Sequence, residues 1–347
     1  MTDKFTLPDD AFSLDDSDAR EMRPASLKEY VAIARVDNWI KNLFMLPGML
    51  FAFSVFHTPF SFLLCVKIIV GLLSICLIAS ANYVINEYLD AGFDKYHPLK
   101  HTRSSVITII NPKIIYSEYG ILALIGLVLG YFISAKFLFA TTVFLILGII
   151  YNVRPFRSKD RVFLDVLSES INNPIRFIAG WFIFSPALGI PNSKWDLNWI
   201  NTFPPVSIMI AYWMGGAFLM ATERFAEFRL IDNPHVAGLY RKSFKIYNEN
   251  SLLVSMFFYA ITCAFFMGIF LVKERIELIV IFPFFALLFS WYLRIGLLNE
   301  SPVQGSARLY TRKWFMLYLL LFVVLLCALL FIDIPWLHWF LKNANNY

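Results

Sequence analysis

The sequence predicts an all-α integral membrane protein with about nine transmembrane helices. Of its 347 residues, 59% are hydrophobic and 16% are charged, whereas about 25% of the residues in an ordinary soluble domain are charged. The mean hydropathy is +0.62, and 36 residues are phenylalanine. A globule this apolar would lack the polar side chains needed to cover its surface in water, so lipid must be its solvent.

Nine apolar stretches are candidates for spanning helices, which need about 20 mostly apolar residues each. They are 39–57, 61–89, 114–134, 137–152, 163–190, 203–222, 251–272, 276–293 and 314–334. The fifth stretch contains Asn172, Asn173 and Arg176. We assign it as a span because polar side chains in a membrane bundle nearly always face the interior.

Basic residues cluster in the connections that follow the second, fourth, sixth and eighth spans. The positive-inside rule then makes these connections cytoplasmic, with the N-terminus inside and the C-terminus outside. Residues 1–24 are acidic and predict a disordered cytoplasmic tail. Residues 25–335 form one transmembrane domain, within which 25–38 are expected to form a short amphipathic interfacial helix. Residues 336–347 are a short extracytoplasmic tail.

An acidic motif closes the second predicted span. Asn86, Asp90 and Asp94 recur every four residues, which places them on one face of a helix, and Glu87 lies on an adjacent strip. Oxygen ligands at this spacing suit Mg²⁺, which binds one or two carboxylates together with water and phosphate oxygens. The alternative is a solvated acidic helix end that begins a loop.

Basic residues follow the acidic motif directly. Lys95, Lys100 and Arg103 could bind the phosphates that accompany such a metal. His97 and His101 are four residues apart, and we favour phosphate contact or loop polarity for them over metal binding.

A second acidic pair closes the sixth predicted span. Glu223 and Glu227 are also four residues apart, and together with the first motif they suggest two sides of one metal–pyrophosphate clamp. The alternative is an intrahelical network of these glutamates with Arg224 and Arg229. Arg241 and Tyr247 follow in the next connection and could contact anionic groups.

Three further cations are candidates for phosphate binding. Lys41 lies at the start of the first span, beside Arg35, and Arg154 follows the fourth span. Arg176 lies within the fifth span and is expected to face a cavity, because an unpaired arginine in lipid costs about 2.5–3.5 kcal/mol on insertion scales. Asp165 is too far along the same helix to pair with it, so each needs another partner.

These motifs resemble those of a known family. Asn86-Glu87-xx-Asp90-xxx-Asp94 is similar to the NDxxDxxxD motif of UbiA-type prenyltransferases, with Glu87 in place of the usual Asp. Within that superfamily the likeness is closest to the decaprenyl-phosphate phosphoribosyltransferase branch, over roughly residues 30–330. Two further segments of the chain that resemble this branch are 35–42 (RVDNWIKN) and 94–104 (DKYHPLKHTRS).

The same branch resembles the chain in three later segments. They are Tyr151–Arg154, Ile175–Gly180 and Glu223–Phe228. The sequence departs from the branch at Glu223, where the branch tends to have Lys, and at Asn172-Asn173-Pro174, which replaces an apolar stretch.

The resemblance implies a UbiA-type bundle around a cytoplasm-facing cavity and a magnesium-dependent transferase. Mg²⁺ would be held by Asn86, Asp90 and Asp94, with help from Glu87 or Glu227. The residues expected to bind substrate phosphates are Lys41, Lys95, Lys100, Arg103, Arg154, Arg176, Glu223, Arg224, Arg241 and Tyr247.

Three functions remain open at this point. The first is transfer of a phosphoribosyl group from phosphoribosyl pyrophosphate to a polyprenyl phosphate, favoured by the many cations and by the branch likeness. The second is transfer of a polyprenyl group from its pyrophosphate to an aromatic or other small acceptor. The third is transport, which the absence of an inverted hydropathy repeat disfavours.

The expected partners are a polyprenyl (pyro)phosphate lipid, a phosphorylated sugar donor or an aromatic acceptor, and the bilayer, with no nucleic acid. The expected location is a bacterial inner membrane, with the active site on the cytoplasmic side.

Overall fold

Eight helical segments among the described residues are long and apolar enough to cross a membrane. The computed structural model describes residues 23–184, 203–298, 301–304, 309 and 311–342. Its α-helices are α1 (Leu27–Ile33), α2 (Leu46–Phe56), α3 (Phe62–Asp94), α4 (Ser104–Ile107), α5 (Pro112–Ile133), α6 (Ala135–Asn152), α7 (Leu164–Ser170), α8 (Asn172–Phe184), α9 (Val206–Ile231), α10 (Pro234–Tyr240), α11 (Glu249–Glu274), α12 (Phe282–Gly296), α13 (Lys313–Phe331) and α14 (Pro335–Lys342). Short 3₁₀ segments cover Val36–Met45, Ser158–Asp160, Lys242–Lys245, Ile276–Ile281 and Pro302–Gln304. The all-α membrane class predicted from the sequence is confirmed.

The first and eighth predicted spans are not uniform α-helices. Each begins as a 3₁₀ segment, Val36–Met45 or Ile276–Ile281, and continues as α2 or α12. The change occurs where Pro47 and Pro283 stand at the start of the α-helix. Proline lacks the N–H that the helix interior requires, and it is tolerated in the first turn, where that N–H would have no intrahelical partner.

The fifth predicted span, 163–190, is divided in the structure. Helix α7 ends at Ser170 and α8 begins at Asn172, so the polar residues that made this stretch unusual lie at a helix junction. Residues 185–190 of the predicted span lie outside the described residues. Helices α7 and α8 are each too short to span a membrane alone, which accounts for the difference between the nine predicted spans and the eight candidate spans among the described residues.

Close helix packing holds the two sides of the bundle in position. Helix α3 packs against α5 and α6, α2 packs against α8, and α9 packs against α11. Glycines permit a close approach between α8 and the chain around α2. A methyl group at Gly48 would overlap the Phe177 carbonyl oxygen, and one at Gly180 would overlap the Met45 carbonyl oxygen. The outward surfaces carry many exposed apolar side chains, such as Phe62, Leu124 and Phe257, as expected for helices in lipid.

The predicted terminal segments are only partly described. Residues 1–22 of the predicted acidic tail lie outside the described residues, and the tail remains a prediction. A short helix, α1, occupies the middle of the segment 25–38, where an amphipathic helix was expected. At the other end, α14 spans Pro335–Lys342, so the predicted short tail begins as a helix.

Candidate functional site

A cavity of about 350 Å³ lies where α3, α6, α8 and α9 meet the connections that follow α3, α6 and α9. Its described lining includes ten basic residues: Arg35, Lys41, Lys100, Arg103, Arg157, Lys159, Arg176, Arg224, Arg241 and Lys242. It also includes five acidic residues: Asp90, Asp94, Asp160, Glu169 and Glu223. The cavity therefore carries a surplus of positive charge and attracts anions.

Asp90 is the most heavily paired carboxylate of the lining. The Lys159 ammonium lies 2.7 Å from each of its two oxygens. The Arg157 guanidinium donates to Oδ1 at 2.8 Å, and the Asn86 amide donates to Oδ2 at 3.1 Å. Both cations come from the connection after α6, where Lys159 also donates to Asn152 Oδ1 at 2.7 Å. The first acidic motif is thus bound to a loop almost 70 residues further along the chain.

Asp94 and Glu87 occupy different surroundings on the same helix. Arg103 donates to Asp94 Oδ2 at 2.6 Å, and both residues line the cavity. Glu87 is buried outside the described cavity lining, 3.6 Å from Arg35 and 3.4 Å from the Ser105 hydroxyl. Because it lies on the adjacent strip of α3, Glu87 connects that helix to the N-terminal segment and to α4.

Glu227 is a buried connection between three elements. Its carboxylate accepts from Lys100 Nζ at 2.6 Å, from Arg224 Nη1 at 2.9 Å and from the Tyr240 hydroxyl at 3.1 Å. Its side chain has no exposed surface, and it does not belong to the described cavity lining. The contact with Arg224 is the intrahelical pair considered as the alternative interpretation, whereas Arg229 pairs with Glu249 at 3.6 Å.

Glu223, one turn before Glu227 on α9, lines the cavity. Near it, Arg224 also pairs with Glu169 of α7, whose carboxylate accepts from the Tyr151 hydroxyl at 2.8 Å. Glu169 lines the cavity as well. Acidic groups therefore occur on both sides of the cavity, on α3 and on α7 and α9.

Two arginines present guanidinium groups to the cavity. Arg176 donates to Asn42 Oδ1 at 2.9 Å and to Asn173 Oδ1 at 3.2 Å, and lies 4.9 Å from the centre of the Phe144 ring. Arg241, whose side chain is 14% exposed, has two nitrogens, Nε and Nη1, without a hydrogen-bond acceptor, although Nη1 lies 3.9 Å from Asp165 Oδ2. The prediction that Arg176 faces a cavity is confirmed, and Asp165 finds its partners elsewhere, in Ser243 and Tyr247.

Burial and neighbouring charges shift the pKa values of ionisable groups in the connecting loops in different directions. Burial by itself would lower the pKa of the Lys100 ammonium, but Glu227, Tyr240 and Asp94 together raise it above its usual value. Burial, with help from Arg157, lowers the pKa of Lys159 to about 8, against the opposing effect of Asp90. Burial and the neighbouring Lys100 lower the pKa of His97 to about 3. His97 is therefore neutral, and its Nδ1 accepts from the backbone N–H groups of Leu99 and Lys100 at 3.0 and 3.2 Å.

The chain matches a described family over most of its length. A family model of the UbiA prenyltransferase family matches residues 42–317. The chain belongs to the UbiA prenyltransferase family. The multi-pass membrane fold and the cavity just described are therefore those of a UbiA family member.

Curated relatives match about two thirds of the chain. The decaprenyl-phosphate phosphoribosyltransferase of Mycolicibacterium smegmatis is 28% identical over 222 residues, which cover 64% of this chain and 63% of that protein. The protein of the same name from Mycobacterium tuberculosis H37Rv is 26% identical over 230 residues, covering 66% of this chain and 69% of that protein. The chain thus matches slightly less than two thirds of the length of the first relative.

Solved structures share the UbiA fold. The structure of a UbiA homolog from Archaeoglobus fulgidus bound to GPP and Mg²⁺ superposes with a TM-score of 0.60 at 20% identity, over 88% of this chain and all of that one. A digeranylgeranylglyceryl phosphate synthase structure superposes with a TM-score of 0.56 at 14% identity, over 88% of this chain and 98% of that one. These similarities establish the fold.

A UbiA-type metal site can be tested against the side chains present. Among the described residues, no group of three or more His, Cys, Asp or Glu side chains is arranged to hold a metal ion. Asn86, Asp90 and Asp94 nevertheless line one cavity from one helix face, and they offer the hard oxygen donors that Mg²⁺ prefers. Since Mg²⁺ takes only one or two protein carboxylates and completes its shell with water and phosphate, the donor set fits a magnesium ion bound together with a phosphorylated ligand.

The predicted phosphate-binding residues do not all reach the cavity. Lys41, Lys100, Arg103, Arg176, Glu223, Arg224 and Arg241 line it. Lys95 and Arg154 are exposed outside the described lining. Tyr247 is buried, donates to Asp165 Oδ1 at 2.7 Å and accepts from the Phe163 backbone N–H, so its contacts support the fold of the loop.

Sequence reasoning missed four residues that the structure brings to the site. In the sequence Arg157 and Lys159 are only part of a basic connection, whereas in the structure both side chains contact Asp90. Glu169 lies one turn before Asn172 and Asn173 and is not among the predicted site residues. Tyr240, between Glu227 and Arg241, is not among them either. The contacts that bring these residues to the site, such as Lys159 with Asp90 and Glu169 with Arg224, join residues distant in sequence, which local periodicity does not identify.

Proposed function

We propose that this chain transfers a 5-phosphoribosyl group from phosphoribosyl pyrophosphate to a polyprenyl phosphate and releases pyrophosphate. The observation that carries the proposal is the cavity, in which ten basic residues line a space that also holds the first acidic motif. Two phosphorylated substrates need more cations than a single prenyl pyrophosphate does. The names of the curated relatives from M. smegmatis and M. tuberculosis support the same reaction.

The proposed reaction breaks the bond between C1 of the ribose and the pyrophosphate oxygen, whose electron pair leaves with the pyrophosphate. An oxygen of the lipid phosphate supplies the electron pair for the new bond to C1. That oxygen is already anionic, so the chain needs no strong general base. Its task is to hold several phosphates in a reactive arrangement and to stabilise the charge that develops on the leaving group.

Arg176 and Arg241 are suited to holding phosphate groups. Arg176 is buried, the Arg241 side chain is 14% exposed, and both residues line the cavity. Arg241 also has two nitrogens that lack a hydrogen-bond acceptor. Arginine binds phosphate through two parallel hydrogen bonds, which fixes orientation as well as charge. We assign these two residues, with Lys41, to the phosphates of the donor and the lipid.

Asn86, Asp90 and Asp94 would hold the magnesium ion. When bound, the ion would neutralise negative charge on the leaving pyrophosphate. Arg103, next to Asp94, and Lys159 and Arg157, next to Asp90, would then contact the same pyrophosphate from the protein side. Glu87 and Glu227 have structural roles in this proposal, because both are buried outside the described lining.

The lipid chain would occupy the apolar end of the cavity. Ala79, Phe144 and Leu219 belong to the lining, and Ala79 lies about 16 Å before Asp90 along α3, at about 1.5 Å per residue. A polyprenyl phosphate placed there would present its phosphate to the cationic end. We place the cationic end of the cavity on the cytoplasmic side of a bacterial inner membrane, as the basic connections predict.

Prenyl transfer is the competing function, since the family is named for it. The test uses purified protein in detergent with Mg²⁺. One reaction contains phosphoribosyl pyrophosphate and polyprenyl phosphate, and the other contains polyprenyl pyrophosphate and simple aromatic acids. Asp90→Ala serves as the blank in both. Pyrophosphate release with a phosphoribosylated lipid, detected by mass spectrometry, is expected in the first reaction. Turnover in the second reaction alone would overturn the proposal.

A further inference from the structure

Asp90 differs from a carboxylate with a free oxygen for a metal ion, because both of its oxygens already contact cations. Lys159 contacts both oxygens at 2.7 Å, Arg157 adds a bond to Oδ1 at 2.8 Å, and Asn86 adds one to Oδ2 at 3.1 Å. A metal bound to either oxygen at 2.0–2.1 Å would lie within about 5 Å of the Lys159 ammonium. Like charges this close in a partly buried site repel each other strongly.

The same two cations line the cavity in which a pyrophosphate would bind. Arg157 and Lys159 are both in the lining, and their side chains are only 9% and 6% exposed. Lysine has a flexible four-carbon stem, and arginine forms paired hydrogen bonds with phosphate oxygens. Each can therefore exchange the Asp90 carboxylate for a phosphate with little movement of the backbone.

We propose that Arg157 and Lys159 act as exchangeable counterions of Asp90, which they release for metal binding only when pyrophosphate takes its place beside them. This inference rests on the proposed function only in that pyrophosphate is the bound group. Free Mg²⁺ binds weakly in this arrangement, because it must displace two cations. Pyrophosphate without metal also binds weakly, because it must compete with Asp90 for the same cations. The two ligands bind together, so the metal enters with the pyrophosphate of a substrate.

Asp94 provides a contrast on the same helix. Its Oδ2 is paired with Arg103 at 2.6 Å, whereas both oxygens of Asp90 contact cations. Lys242 provides a contrast among the cations, because it lines the same cavity but pairs at 2.9 Å with Asp160, which also accepts from Arg157 at 3.2 Å, and not with Asp90. These residues supply matched controls for the exchange.

The first experiment measures binding of Mn²⁺, as a probe for Mg²⁺, to the purified full chain without any substrate, by electron paramagnetic resonance. Lys159→Met is expected to bind Mn²⁺ about tenfold or more tightly than the unmodified chain, because one of the two cations on Asp90 is gone. Lys242→Met is expected to stay within about twofold of the unmodified chain, since its partner is Asp160. Adding Asp90→Asn to Lys159→Met should remove the gain.

The second experiment measures binding of inorganic pyrophosphate in the presence of a chelator, by isothermal titration calorimetry. Asp90→Asn is expected to bind pyrophosphate about tenfold or more tightly than the unmodified chain, because Arg157 and Lys159 lose their competing carboxylate. This variant keeps the shape of the side chain, so the test does not depend on the folding of Lys159→Met.

Unchanged or weaker pyrophosphate binding by Asp90→Asn would overturn the proposal. An equal gain in Mn²⁺ affinity for Lys159→Met and Lys242→Met would overturn it as well, because it would show a general charge effect. Neither probe contains a sugar or a prenyl group. The outcome is therefore independent of whether the chain transfers phosphoribosyl or prenyl groups.

Discussion

Replacing Glu227 tests whether the second acidic motif holds the structure together or binds the metal. The Glu227 carboxylate is fully buried and joins α9 to Lys100 in the loop after α3 and to Tyr240 in α10. It also pairs with Arg224 at 2.9 Å. Glu227→Ala would leave buried Arg224 and partly buried Lys100 without this partner. Removing one partner of a buried ion pair costs about 3–5 kcal/mol, and we expect a loss of stability in this range.

The assay is reversible unfolding of the purified chain in mixed detergent micelles, followed by circular dichroism. The matched control is Glu249→Ala, because Glu249 is half-exposed and pairs with Arg229 at 3.6 Å. Exposed pairs contribute about 0.2–1 kcal/mol, so the control should unfold almost like the unmodified chain. The difference between the two variants isolates the effect of the buried network from a general effect of removing a glutamate.

The reasoning would be refuted by a Glu227→Ala variant that unfolds like the control. It would be refuted most directly if that variant also required a higher Mg²⁺ concentration for half-maximal activity. Such a result would make Glu227 a metal ligand, as the sequence suggested, and its contacts with Lys100 and Tyr240 would be secondary.

Three further predictions follow from the placement of single groups. Arg154→Ala should keep activity within about twofold, because Arg154 is exposed outside the described lining, whereas Arg157→Ala should lower kcat/KM about 100-fold by removing a buried cation beside the pyrophosphate. Gly180→Ala should lower the free energy of unfolding by about 1–3 kcal/mol in the same micelle assay, because its methyl group would overlap the Met45 carbonyl oxygen. Chelation should abolish pyrophosphate release, and added Mg²⁺ should restore it, if the proposed metal dependence is correct.

The sequence predicted the membrane class and the positions of most helices because these follow from local hydropathy. It also predicted that Asn86, Asp90 and Asp94 share a helix face, since a four-residue spacing determines that locally.

The division of the stretch 163–190 into α7 and α8 was not predicted, although Asn172 and Asn173 marked the place. Local composition alone does not show whether a polar cluster faces a bundle or breaks a helix.

The ion pairs of the site could not be predicted for a different reason. Asp90 is joined to Lys159 and Glu227 to Lys100, and both pairs link residues far apart in sequence. Which basic side chain reaches which carboxylate depends on how α3, α6 and α9 pack. A basic connection predicts a membrane face, but exposed Arg154 and buried Arg157 belong to the same connection. Only the three-dimensional arrangement shows that Arg154 is exposed and that Arg157 lines the cavity.

The charge of the cavity discriminates between the two transfer reactions better than the acidic motifs do. Its described lining has five more basic than acidic residues. Glu87 and Glu227, which lie outside the described lining, pair with Arg35, Lys100 and Arg224 and reduce that surplus. A prenyl pyrophosphate paired with Mg²⁺ and an aromatic acid would place only a few negative charges beside the remaining cations. A lipid phosphate carries about −1.5 to −2 at neutral pH, as a phosphorylated side chain does, and phosphoribosyl pyrophosphate adds both a second phosphate and a pyrophosphate. Together these substrates place more negative charge beside the cations of the lining, which favours phosphoribosyl transfer.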